Sequence, residues 1–181
     1  MSREKTKEMT FMALYVALYI VLWYAGQFIP FLKMPQGGAI EIELTALFVA
    51  SFHLGWKKGL AVAVLSWLVQ FLLGGMMYFV NPMQYALDYL VPWCTCGMAA
   101  LFGRGKFRYS MGVIIAMMIK YISQTVSGAY FWPPEDGAAG SAAAWIFSLN
   151  YNLWFNLATC VVCAILVPIL VNRLKAFHII D

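Results

Sequence analysis

The sequence predicts an all-α, polytopic membrane protein of six transmembrane helices, forming a single integral-membrane domain over residues 1–181. Three observations predict it. The chain is 63% apolar, 17% aromatic and only 11% charged, with a mean hydropathy of +0.76, whereas a soluble domain carries roughly 25% charged residues and about half apolar ones. Six apolar segments are marked off by proline, glycine and charge. Ten of the twelve basic residues fall in alternate connections between those segments. This composition excludes a disordered chain, a nucleic-acid-binding arm and an ordinary cytosolic enzyme, so the lipid bilayer is an expected partner and nucleic acid is not.

The first segment runs from about Thr10 to Ile29 and stops at Pro30. Its charged start resembles a signal peptide, but the apolar run is long and no A-x-A site follows, which predicts a retained helix. A polar stretch from Phe31 to Glu41 leads to a short second segment, about Leu44 to Trp56, ending at Lys57 and Lys58. The third spans about Gly59 to Leu73 and stops at Gly74-Gly75. The fourth, about Met83 to Phe102, ends at the basic cluster Arg104, Lys106 and Arg108. The fifth runs from about Met111 to Trp132 and is broken by Pro133-Pro134, and the sixth covers about Ala142 to Val171.

Arg3, Lys5 and Lys7, Lys57 and Lys58, Arg104, Lys106 and Arg108, and Arg173 and Lys175 all fall on one side if there are six passes. Lys and Arg are retained on the cytoplasmic side, so both termini of this multi-pass protein are expected on the cytoplasmic face of the cell membrane. Five or seven passes would destroy the alternation. The four cysteines, Cys94, Cys96, Cys160 and Cys163, lie inside apolar segments without a second ligand pair and read as packing residues. His53 and His178 have no carboxylate or cysteine neighbour. No H-E-x-x-H, G-x-S-x-G or Walker loop occurs, so neither an enzyme, a cofactor nor a metal is expected, and ATP hydrolysis would have to come from elsewhere.

An ionisable group at membrane depth is costly and faces a cavity or a partner. Asp88 in segment four and Lys120 in segment five are such groups. They either pair with each other, or Asp88 stays unpaired until a cationic ligand arrives. Lys120, Gln124 and Gly128 recur at i, i+4, i+8 on one helical face, which Trp132 continues. Such a stripe suits a cavity where a ligand approaches the backbone at Gly128 and stacks on Trp132. In segment six Ser148, Asn152 and Asn156 share a face, and Asn156 reads as an interhelical hydrogen-bonding residue. A carboxylate beside aromatic faces is a receptor for a flat organic cation. A stand-alone proton-coupled carrier using Asp88 is the alternative class. In segment one, Ala13 and Ala17 form a strip that another helix can approach closely.

These motifs together resemble the substrate-binding S components of energy-coupling-factor (ECF) vitamin transporters, closest to the thiamine-specific group. The resemblance covers nearly the whole chain: the alanine strip, KMPQGG in the first connection, ALDYLVP with G-x-A-x-L-F in segment four, KYISQTVSGAYFW in segment five and FSLNYN in segment six. It implies six helices, a vitamin pocket near the outer face and no ATPase of its own. It also implies that Ala13 and Ala17 dock on a transmembrane coupling subunit belonging to a module with two ATPase subunits. Asp88 stands where that group has a glutamate facing the cationic ligand, and Tyr89 matches the tyrosine after it. Lys120, Gly128, Trp132 and Asn152 match pocket positions. Gln124 replaces a usual histidine and Phe147 a usual tyrosine, Asp88 is one methylene shorter than glutamate, and the first connection lacks a clear equivalent of the expected aromatic. The resemblance therefore implies thiamine or a related heteroaromatic vitamin or precursor as ligand.

Overall fold

The computed structural model describes residues 3–34, 38–75, 78–103 and 107–177. Arg104, Lys106, His178 and the Pro35-Gln36-Gly37 portion of KMPQGG lie outside the described residues. Six helical segments follow one another: α1 (Arg3–Gly26), α2 (Leu44–Leu54), α3 (Trp56–Leu72), α4 (82–102), α5 (Arg108–Phe131) and α6 (Ala142–Ala176), with a 3₁₀ turn at Pro30–Leu32. Among the described residues there is no strand, only one isolated antiparallel bridge between Lys33 and Ala39. Three of the helices, α1, α5 and α6, are each long and apolar enough to cross a bilayer. The chain is an all-α membrane protein.

Several boundaries extend beyond the apolar segments. Helix α1 begins at Arg3, not near Thr10, because its charged first turns hold helix-compatible residues, and Glu8 there pairs with Lys58 at the start of α3. Helix α6 continues to Ala176, where Arg173 and Lys175 suit the negative end of the helix dipole. Asn81, just before Pro82, accepts from the Gln84 backbone N–H at 2.9 Å, and Ser141 accepts from that of Ala144 at 3.2 Å. Both are side-chain caps on otherwise orphaned donors.

Helix α2 is central. Every residue from Leu44 to Ser51 is buried, and the helix packs on α1, α3, α4 and α6. At 11 residues it is too short to cross a bilayer alone and is sheathed by longer neighbours. Gly55, with φ +83°, turns the chain directly into α3. Cys96 and Cys163 are buried, Cys94 and Cys160 half-buried, and all four are free thiols.

Two prolines shape the bundle through the carbonyls they leave unpaired. In α4 the backbone widens into a π-turn over Ala86–Leu90, immediately before Pro92. Pro92 has no N–H for the carbonyls four and five residues back, those of Asp88 and Leu87. Helix α5 supplies the replacements: Ser123 Oγ donates to Leu87 O at 2.7 Å, and Gln124 Nε2 to Asp88 O at 3.4 Å. Pro168 in α6 likewise frees the carbonyl of Ala164, which accepts from Ser110 Oγ of α5 at 3.0 Å. In lipid, such substitution is what allows a proline-broken helix to persist.

Helices α3 and α4 touch backbone to backbone at Gly59 and Gly97, where a Cβ on either would overlap the other's carbonyl. Gly59→Ala is expected to force the helices apart and destabilise the fold by about 1–3 kcal/mol. Gly26→Ala, with open space at its Cβ, is the matched control and is expected to be near neutral. Thermal unfolding of both variants in detergent checks this; equal stability of the two would contradict the packing.

Candidate ligand-binding site

A cavity of about 500 Å³ opens between the π-turn of α4, the end of α5, the start of α6 and residues 38–41 of the first connection. The local sequence explains why polar groups gather there. The π-turn places Asp88 on the cavity wall, the α5 stripe brings Gln124 and Gly128, and the chain leaves α5 at Trp132 before Pro133. Gly128 makes room for α6, since a Cβ there would collide with Ser148 Oγ. Helix α6 thus comes close to this glycine, which also lines the cavity.

Asp88, Tyr89, Gln124, Gly128, Trp132, Phe147 and Asn152 all line the cavity. Lys120 does not. Its side chain is fully buried behind the wall, with Nζ 2.7 Å from Glu41 Oε2, 3.0 Å from Gln124 Oε1 and 2.9 Å from Asn156 Oδ1. Phe155 covers it, with the ring centroid 5.5 Å from Nζ. The Asp88–Lys120 ion pair, one of the two expected arrangements, is not formed. Lys120 pairs with Glu41 instead, because the first connection delivers that carboxylate to the ammonium while Asp88 faces the opposite way into the cavity. Asn156 is the interhelical hydrogen-bonding residue expected.

Asp88 Oδ2 accepts from Gln84 Nε2 at 2.6 Å and from Trp132 Nε1 at 3.1 Å. Among the described residues no basic side chain pairs with Asp88 and nothing donates to its Oδ1. Asn152 Nδ2 donates to Ser148 O at 2.9 Å and Ser148 Oγ at 3.1 Å, which leaves Asn152 Oδ1 without a donor in the same set of residues. Gln124 has less to offer, since Oε1 already accepts from both Lys120 and Asn156. The unspent polar capacity of the wall is thus mainly acceptor, and it calls for a ligand rich in N–H donors or positive charge.

Sequence reasoning missed Glu41 and Glu43, Tyr78 and Tyr151. Tyr78 meets the Trp132 ring edge-on with centroids 6.3 Å apart, and Tyr151 Oη accepts from Gly38 N at 2.9 Å. A signal for the glutamates was present: a lysine inside an apolar helix needs an acid, and the I-E-I-E run abuts the most apolar part of segment two. Glu43 is buried, and burial first, then the neighbouring Glu41, holds its carboxyl above the usual carboxylate range. Ala13 and Ala17 are exposed on α1, away from the cavity lining.

An all-helical membrane protein with an aromatic, carboxylate-bearing cavity at one end of its bundle has the form of a small-molecule binding or transport protein. The model of one family, the thiamine transporter protein family, matches residues 9–179, and the chain belongs to that family. It is 32% identical over 153 residues to the thiamine transporter ThiT of Bacillus subtilis strain 168, covering 77% of this chain and 78% of that protein. The solved structure of ThiT from Listeria monocytogenes superposes with a TM-score of 0.68 at 16% identity, covering 95% of this chain and 94% of that one, which is a likeness of fold.

Removing one partner of a buried ion pair leaves the other uncompensated, at a cost of about 3–5 kcal/mol. Lys120→Met is therefore expected to lower stability by about that amount, and Lys120→Met with Glu41→Gln to recover part of it. Denaturation of the two single variants and the double variant in detergent measures the coupling; strict additivity would show that the pair is not an energetic unit.

Proposed function

We propose that this chain is the substrate-binding membrane subunit of an ECF-type importer, capturing thiamine or a related heteroaromatic vitamin or precursor for ATP-driven uptake. The observation that carries the reading is Asp88: a carboxylate with no basic partner among the described residues and a free Oδ1, set beside Trp132 and Tyr89 in a cavity large enough for a two-ring ligand. Membership of the thiamine transporter protein family and the kinship with ThiT support the choice of ligand class. A cationic or protonated heteroaromatic ring satisfies Asp88, with Trp132 stacking on its face and Asn152 and Gln124 facing its edge. Gly128, Tyr89 and Phe147 shape the wall. Lys120 acts from behind by holding Glu41 and Gln124 in place.

The subunit has both termini on the cytoplasmic side and the cavity towards the outside, as the distribution of Lys and Arg favours. Ala13 and Ala17 dock on the transmembrane coupling subunit, whose two ATPase subunits supply the energy. Purified protein alone is expected to bind ligand and transport none in vesicles until that module is added; uptake driven by a proton gradient alone would instead support a stand-alone carrier.

Asp88→Asn is expected to weaken binding of a cationic ligand by about 1–3 kcal/mol, the range for charge-assisted hydrogen bonds. Trp132→Ala weakens binding whatever the charge of the ring. Calorimetric titration with thiamine and with its neutral pyrimidine precursor separates the two effects; undiminished affinity of Asp88→Asn for thiamine would sink the cation argument. Ala13→Trp and Ala17→Trp are expected to abolish uptake by the assembled transporter and to leave ligand binding by the isolated subunit unchanged.

A further inference from the structure

Charge is unevenly divided between the two ends of the bundle. The connections at the cavity end, residues 27–43, 73–81 and 132–141, carry one basic residue, Lys33, against Glu41, Glu43, Glu135 and Asp136. Glu41 is paired with Lys120, and Glu43 is buried. What remains at this end is Asp88 on the cavity wall, with Glu135, Asp136 and Lys33 exposed around it.

Glu135 differs from the other exposed charges because it also lines the cavity. The local sequence holds it there. Pro133 and Pro134 restrict φ where the chain leaves α5. The Gly137 N–H donates to Pro134 O at 2.9 Å, which closes a turn with Glu135 and Asp136 at its two central positions. Gly140, at φ +73°, donates its N–H to Ala129 O at 2.9 Å and ties the connection back to α5. The turn that carries both acids is thus anchored on either side, at the rim of the cavity.

Stability does not account for an acid in this place. Neither Glu135 nor Asp136 forms an ion pair among the described residues. Both follow the C-terminal end of α5, where the negative end of the helix dipole disfavours a carboxylate. A cationic ligand gains from them before it touches anything. At 0.1 M ionic strength charges act over about 10 Å, and low-dielectric walls focus their field into a cleft. Among the described residues no basic side chain lines the cavity to oppose that field.

We propose that Glu135 is a steering residue: its carboxylate at the rim speeds the entry of a cationic ligand towards Asp88 and makes no contact with that ligand once it is bound. This rests on the cationic ligand class given above and adds to it the residue that sets the rate of capture. Electrostatic steering acts on association and fades with salt, whereas a contact in the bound state acts on dissociation.

The test is stopped-flow tryptophan fluorescence of the purified protein in nonionic detergent, with thiamine and with its neutral pyrimidine precursor. At low ionic strength, where the screening length reaches about 30 Å, Glu135→Gln is expected to slow association with thiamine about twofold to fivefold, and Glu135→Lys about tenfold. The dissociation rate of Glu135→Gln is expected to equal that of the parent. The differences in association are expected to close near 1 M salt, where the screening length is about 3 Å, and to be absent for the neutral precursor. Unchanged association, faster dissociation of Glu135→Gln, or equal slowing of both ligands would overturn the proposal. The parent alone decides the question if the variants fail to fold, since a rate of thiamine association indifferent to salt would overturn it as well. A parent protein that binds neither ligand would overturn the functional reading itself, an outcome distinct from an unaltered rate in the variants.

Discussion

A fully buried ammonium governs the cavity end of this bundle. Lys120 has no exposed surface, and an isolated charge in a medium of low dielectric carries a desolvation penalty of several kcal/mol. It is retained because three acceptors from three separate parts of the chain converge on it: Glu41 from the first connection, Gln124 one turn along α5, and Asn156 from α6. Each is then tied further. Asn156 donates to Gln124, Gln124 donates to the Asp88 carbonyl, and the Glu41 backbone N–H donates to Thr159 Oγ1 at 3.0 Å. Neutralising one charge thus anchors the first connection to α5 and α6 and fixes the wall on which a ligand would rest.

The same demand for complete satisfaction acts on the backbone. With no water in the hydrocarbon region, a carbonyl freed by proline must find a donor within the protein. Helix α5 meets that demand on both sides, towards α4 through Ser123 and Gln124 and towards α6 through Ser110. The polar residues of α5 therefore divide the labour. Some hold the broken helices together, and only what remains faces the cavity. Gln124 shows the division within one side chain, since its carbonyl serves Lys120 and Asn156 while the residue still lines the wall.

What is left unspent defines the chemistry. Asp88 and Asn152 each keep one acceptor oxygen, and the surrounding faces are aromatic. Surplus acceptors, aromatic walls and, among the described residues, a lining without a basic side chain suit flat, electron-poor, donor-bearing molecules better than anions. This is a property of how the hydrogen bonds are distributed, and it agrees with the family to which the chain belongs.

The sequence by itself determined the class and the order of elements, because the requirement for long apolar runs punctuated by proline, glycine and charge is local and additive. The i, i+4 spacing of Lys120, Gln124 and Gly128 and of Ser148, Asn152 and Asn156 placed those residues on common faces for the same reason: helical periodicity is a property of one segment. Pairing was not legible. Whether Lys120 would meet Asp88 or Glu41 depends on the rotation of α4 relative to α5 and on the path of the first connection, and neither is encoded within a single segment. The π-turn at Ala86–Leu90 involves distant residues likewise, since Pro92 frees the carbonyls and the hydroxyl of Ser123 and the amide of Gln124 satisfy them. The short α2 is the buried core of the bundle, a position set by the neighbours that enclose it. Tertiary structure decided these points because each is a contact between segments far apart in the chain, where geometry selects one partner among several that are chemically equivalent.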